Sequence, residues 1–184
     1  MPDREPRGYA SPPCSAHEAD PAYMGLVTPE PLPRDELVAL LNTLIEAERA
    51  GAKTLAWYVK TTPEGEMRDA LAAVGRDEGR YVALLGRLLR SLGATPSEAT
   101  GSFFEKARAI ENPADRLAFL NRGQGWVARK LAEALPRIAD PEMRTALEEM
   151  QRTHVENIER CDGFAGAPGD GAPGADPRRE PGAR

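Results

Sequence analysis

Residues 143–161 read MRTALEEMQRTHVENIERC, in which Met143, Leu147, Met150, Ile158 and Cys161 recur every three or four positions and His154 stands on the same line. That spacing marks one face of a helix. Three more stretches repeat the design. The first runs Leu37, Leu41, Leu44, Glu48, Ala52, Leu55, Val59, and the second Met67, Leu71, Val74, Glu78, Tyr81, Leu85, Leu88, Leu92. A third runs Leu117, Leu120, Gln124, Val127, Leu131, Leu135, Ile138. Near the middle of every stripe a polar or ionisable residue replaces an apolar one, and Gln151 adds another a turn before His154.

With helix starts near Asp35, Glu64, Pro113 and Pro141, the interruptions fall roughly 10 to 17 positions in, about 15–25 Å along each axis. The polar residues are therefore expected in one layer of an all-α bundle. Burying an unpaired carboxylate is costly, so such a layer must satisfy itself, hold water or bind an ion.

The 184 residues carry a net charge of −5 and suit one folded unit. Lys and Arg are scattered without a basic stripe, which argues against a nucleic-acid partner. No apolar run approaches the ~20 residues that span a bilayer, and MPDREPRGYASPP lacks the apolar segment of a secretory signal. No membrane association and a cytoplasmic location are expected. Cys14 and Cys161 sit in different contexts, so no disulfide framework is suggested. Phosphate-binding loops, G-x-S-x-G elbows and CxxC pairs do not occur, leaving kinase, hydrolase and thiol-redox chemistry unsupported.

Residues 1–33 are rich in proline and form an arm that could dock on the bundle through Tyr23, Met24, Leu26 and Val27. Residues 34–163 form the bundle, and 164–184, rich in Gly and Pro, have little to bury and are expected to be disordered. Helix one should end before Thr61-Thr62-Pro63, and helix two at Gly93 in a left-handed stop. The following connection, about twenty residues, has room for a short helix from Ser102 to Ile110. Asn112-Pro113 and Asp140-Pro141 are start signals for helices three and four, with helix three ending near Ile138.

This layout resembles the ferritin-like carboxylate bundles, over about residues 35–162. AERAGAKTLAWY around Glu48 looks like the first-helix carboxylate segment of rubrerythrin-type proteins, and RDEGRYVALLGRLL like their second-helix E-x-x-H, with Glu78 in register and Tyr81 where histidine is expected. NRGQGWVARKL is similar to the third-helix segment with Gln124 replacing glutamate. EMQRTHVENIERC is similar to the last E-x-x-H with Gln151 replacing glutamate and His154 retained. The chain looks closest to bacterial ferritin-like domains of unassigned function.

The resemblance implies metal ligands at Glu48, Glu78, His154, Gln124, Gln151 and Tyr81. Only two carboxylates remain, too little charge for two divalent ions, so one Fe or Mn ion is the better expectation, with Zn less favoured. An open position on it would admit O2 or a small molecule, as in a mononuclear metal oxidoreductase. Cys14 and His17 in the arm form a C-x-x-H pair that could contribute an accessory ligand.

Structural readings stand beside these. His154 could be a hydrogen-bonded core histidine, and Glu48 and Glu78 could pair with Arg122 or Arg129 turned inward. Tyr81, Gln124 and Gln151 could bond across the seam to fix helix register. Gly79, Gly123 and Gly125 allow close helix approach or leave room for a ligand, and Trp57, Tyr58 and Trp126 read as core or interface aromatics, though Trp126 beside Gln124 could also line a pocket. The alternative function is a metal-free bundle serving as a binding or assembly module. Homodimerisation is compatible with either.

Overall fold

The computed structural model describes residues 29–165, with side chains to 164. Cys14, His17 and the apolar cluster at 23–27 lie outside the described residues, as does the tail from 166. The described residues form five α-helices: α1 Arg34–Thr61, α2 Glu66–Ser91, α3 Phe103–Arg108, α4 Pro113–Ala134 and α5 Pro141–Ala165, with a 3-10 turn at Leu135–Arg137. No strand occurs among the described residues. Among the described residues no helix is long and apolar enough to cross a membrane.

The start and stop signals act as their chemistry requires. Asn112 Oδ1 accepts from the backbone N–H of Ala114 at 2.8 Å and of Asp115 at 3.4 Å, satisfying two orphan donors of α4. Asp140 Oδ1 does the same for Met143 at 2.9 Å. Gly93 takes φ +69° and lets Ala94 donate to Leu89 O at 2.9 Å, which closes α2. Helix α1 starts after Pro33 without a side-chain cap, and Asp35 and Glu36 occupy its first turn, where the helix dipole favours negative charge.

Several boundaries differ from the sequence expectation, among them α1 and α5, which run on to Thr61 and Ala165. Helix α2 begins at Glu66 instead of near Glu64, because Gly65 adopts φ +143°. The α-helical part of α4 ends at Ala134 and tightens into the 3-10 turn, since Pro136 has no N–H to give to the carbonyl four residues back. The crossover helix is shorter than Ser102–Ile110.

Pairs α1–α2 and α4–α5 are antiparallel hairpins with tight packing, α2 lies against α5, and α1 meets α4 only sparsely, with α3 resting beside them. The buried side chains form two apolar clusters. One contains Leu41, Leu44, Ile45, Tyr81, Leu85, Val127, Leu131, Leu147 and Met150. The other contains Leu55, Tyr58, Leu71, Val74, Leu117, Leu120 and Cys161. Along every long helix the polar residue lies at the junction: Glu48 between Ile45 and Leu55, Glu78 between Val74 and Tyr81, Gln124 between Leu120 and Val127, His154 between Met150 and Cys161. The expected layer therefore exists, sealed above and below by apolar side chains.

Candidate metal centre

Glu48 and His154 are 0% and 1% exposed, Glu78 3% and Gln124 4%. One ligand atom from each of Glu48, Glu78 and His154 lies within 4.8 Å of the others. His154 Nδ1 is 2.9 Å from the carbonyl of Met150. A carbonyl only accepts, so Nδ1 carries a proton and the ring turns its Nε2 toward the centre. That nitrogen stands 3.2 Å from Glu48 Oε1. Gln124 Nε2 donates to Glu78 Oε1, which fixes the second carboxyl.

Burial, the largest cause, pushes the Glu48 carboxyl up to about 8. Burial first, and then the charge of Glu48, hold Glu78 well above the ordinary carboxylate range. Without a cation the centre retains protons, because two ionised carboxylates cannot share a dry site. Glu48 Oε2 and Gln124 Oε1 are buried with no hydrogen-bond partner. Two acidic oxygens, an oriented imidazole nitrogen and a free amide oxygen are a donor set suited to one divalent ion, which would take the place of the protons and satisfy the orphaned atoms.

A glycine that sequence reasoning passed over makes room for this. A Cβ at Gly51 would collide with the Glu78 carboxylate and come 2.8 Å from its Cδ. Its only sequence signal is a helix-weakening glycine one turn after Glu48. Of the three glycines singled out beforehand, Gly123 fits a close approach, its missing Cβ facing the Phe103 ring at 2.8 Å, while Gly79 faces open space.

Other expected ligands lie elsewhere. Tyr81 packs its ring on His154, centroids 5.7 Å apart, but its hydroxyl donates to Thr153 Oγ1 at 2.7 Å and accepts from Arg80 at 2.8 Å. Gln151 is half-buried and lines a separate depression with Pro136, Arg144 and Glu148. The arginine pairing considered for the carboxyls does not form: Arg122 is exposed with its guanidinium over Phe119, and Arg129 is exposed too. Asn157, not foreseen, is 1% exposed, accepts from Arg160 at 2.7 Å and donates to Asp77 at 3.4 Å.

Beside the centre a cleft of about 460 Å³ opens between α1 and α4. Glu78 and Gln124 are at its floor, and Trp126, 37% exposed, is on its wall. Phe103 from α3 stacks on Phe119 at 4.5 Å and closes one side.

Among solved structures, this chain is similar to a ferritin-like, diiron-carboxylate protein from Bacillus anthracis str. Ames, with TM-score 0.63, 17% identity, 72% of this chain and 96% of that chain covered. At that identity the likeness is one of fold, and it establishes the ferritin-like bundle. No curated protein matches the sequence. A family model described as "Domain of unknown function (DUF6306)" matches residues 35–163, the whole span that builds the centre, and the chain belongs to that family.

Proposed function

We propose that this ferritin-like bundle binds one redox-active divalent ion, Fe(II) or Mn(II), through Glu48, Glu78 and His154 with the Gln124 carbonyl oxygen, and acts as a small mononuclear metal oxidoreductase. The observation that carries the reading is the convergence of the three buried groups within 4.8 Å around an imidazole whose tautomer is already set. Such an ion supplies one-electron chemistry toward O2 or a small organic molecule. The chain supplies the rest. Met150 O holds the ring, Gln124 orients Glu78, and Gly51 leaves the space Glu78 occupies. Glu48 and Glu78 would give up their protons to hold the ion, the apolar clusters keep bulk water out, and the cleft would provide access from one side.

A second reading, a metal-free binding or assembly module, draws on the same hydrogen bonds: Glu48 with His154 and Glu78 with Gln124 already pair most of the layer. Metal content per chain separates the two, measured on protein purified without chelator beside a Glu48→Ala, Glu78→Ala, His154→Ala variant. About one ion per chain, lost in the variant, supports the metal centre. A folded natural protein that takes up no Fe, Mn or Zn on loading overturns it.

A further inference from the structure

The cleft has a chemistry of its own, separate from the ion. Its walls are apolar, contributed by Ala47, Phe103, Phe119, Leu120, Trp126 and Val127. Its rim carries two exposed cations, Lys106 from α3 and Arg122 from α4. Neither forms an ion pair with a described residue, whereas Lys53 and Lys130 are paired to Glu105 and Glu133. Arg122 lies with its guanidinium 5.5 Å from the Phe119 ring centroid, which leaves its N–H edges for a planar acceptor. The one rim carboxylate, Glu46, accepts the hydroxyl of Ser97. At the floor Glu78 and Gln124 are bonded to each other, so a visitor reaching that depth meets no free cation.

We propose that the cleft between α1 and α4 is a binding site for an amphipathic organic carboxylate, its apolar body against the aromatic and aliphatic walls and its head between Lys106 and Arg122. A cavity of about 460 Å³ lies in the range of small-molecule sites. At ~30 Å³ for a water-sized atom it holds roughly 15 non-hydrogen atoms, the size of a medium-chain fatty acid or a two-ring aromatic acid. Burial of the body provides the affinity and the two cations select the charge of the head. Because neither element involves the ion, the proposal stands or falls independently of the metal centre.

The test is a calorimetric titration of the full chain, metal-free and metal-loaded, with octanoate, octan-1-ol, octylammonium and 2-naphthoate. One-to-one saturation by octanoate in both forms is expected, with octylammonium at least about ten-fold weaker. Octanoate and 2-naphthoate together distinguish an aliphatic from an aromatic occupant of the same site. Lys106→Glu with Arg122→Glu, both on the exposed surface, should weaken octanoate about ten-fold or more while leaving the melting temperature near that of the natural protein. Ala47→Phe, which fills the cleft from its wall, should abolish binding. Equal affinity for the alcohol or the ammonium, binding that survives Ala47→Phe, or failure of both octanoate and 2-naphthoate to saturate would each overturn the proposal.

Discussion

His154 and Glu48 lie 106 residues apart in sequence and meet with Nε2 3.2 Å from Oε1, deep inside the bundle. The contact ties the last helix to the first, and the imidazole is aimed by the carbonyl four residues back at Met150. A ring oriented before any ligand arrives loses little freedom on binding one. Glu48 and Glu78 beside it are the most strongly perturbed carboxyls among the described residues, and that has consequences in solution.

Metal-free protein should lose stability as pH rises. Both carboxyls have folded values above the ordinary 4.5, about 8 for Glu48 and well raised for Glu78. From near 4.5 upward the unfolded chain releases these protons while the folded chain keeps them. Their stabilising contribution is thus complete below 4.5 and is lost as pH climbs through the folded values. The slope is at most about 1.4 kcal/mol per pH unit for each group. Thermal melts between about pH 5.5 and 8.5 should show a falling midpoint, and Glu48→Gln with Glu78→Gln should flatten it. A midpoint that climbs over this range would contradict the assigned protonation.

Metal affinity should run the opposite way. Each carboxyl that binds an ion must first shed its proton, so uptake releases protons and strengthens with pH. Titration with Mn(II) in buffers of different ionisation enthalpy should give an apparent heat that varies with the buffer. Buffer-independent heat would mean that the ion binds somewhere other than Glu48 and Glu78.

Gly51 and Gly79 form a matched pair of controls. Alanine is ordinarily favoured over glycine in a helix by about 0.5–1 kcal/mol, and Gly79→Ala, facing open space, should gain that amount. At Gly51 the new methyl must displace the Glu78 carboxyl from its bond with Gln124. Unpairing a buried polar group costs about 1–3 kcal/mol, which exceeds the helix gain, so Gly51→Ala should be net destabilising and should lose metal binding. Urea denaturation of the two variants measures both signs.

The bundle was legible because each helix has to bury a stripe, and a polar residue interrupting that stripe marks a common depth. Glu48, Glu78, Gln124 and His154 were found that way. Gln151 was not excluded, since spacing alone places it near His154; in the helix Met150 takes the inward position, fully buried, and turns Gln151 toward Pro136. The inner line of α5 likewise passes through Asn157, with Ile158 half-buried, because Asp77 and Arg160 supply Asn157 with partners that no single-helix pattern reveals. Gly51 escaped for a similar reason: its role is the absence of a side chain opposite one from another helix.

Cys161 offers a clean probe of global opening. It is 1% exposed, and burial pushes its thiol up to about 11. In a Cys14→Ser background the native protein should resist a thiol reagent at about pH 8, with labelling that tracks unfolding in denaturant. Fast labelling of the native state would show that the cluster around Leu55, Leu120 and Cys161 opens locally.

Gln124 is the residue on which the number and strength of metal charges turn. Two carboxylates balance one divalent ion, and Gln124 contributes an amide that donates to Glu78 while leaving its carbonyl oxygen unpaired. Gln124→Glu removes that donor and adds a third acid to the dry layer. Without metal the three acids must hold still more protons, so the variant should melt lower than the natural protein, most clearly above about pH 7. With metal the extra charge and the lost competition for Glu78 should tighten binding at least about ten-fold, a gain of ~1.4 kcal/mol. Melting curves at matched pH with and without Mn(II) read both effects in one experiment. A variant that is weaker in both states would place the ion away from Gln124 and leave the amide as a structural clamp on Glu78.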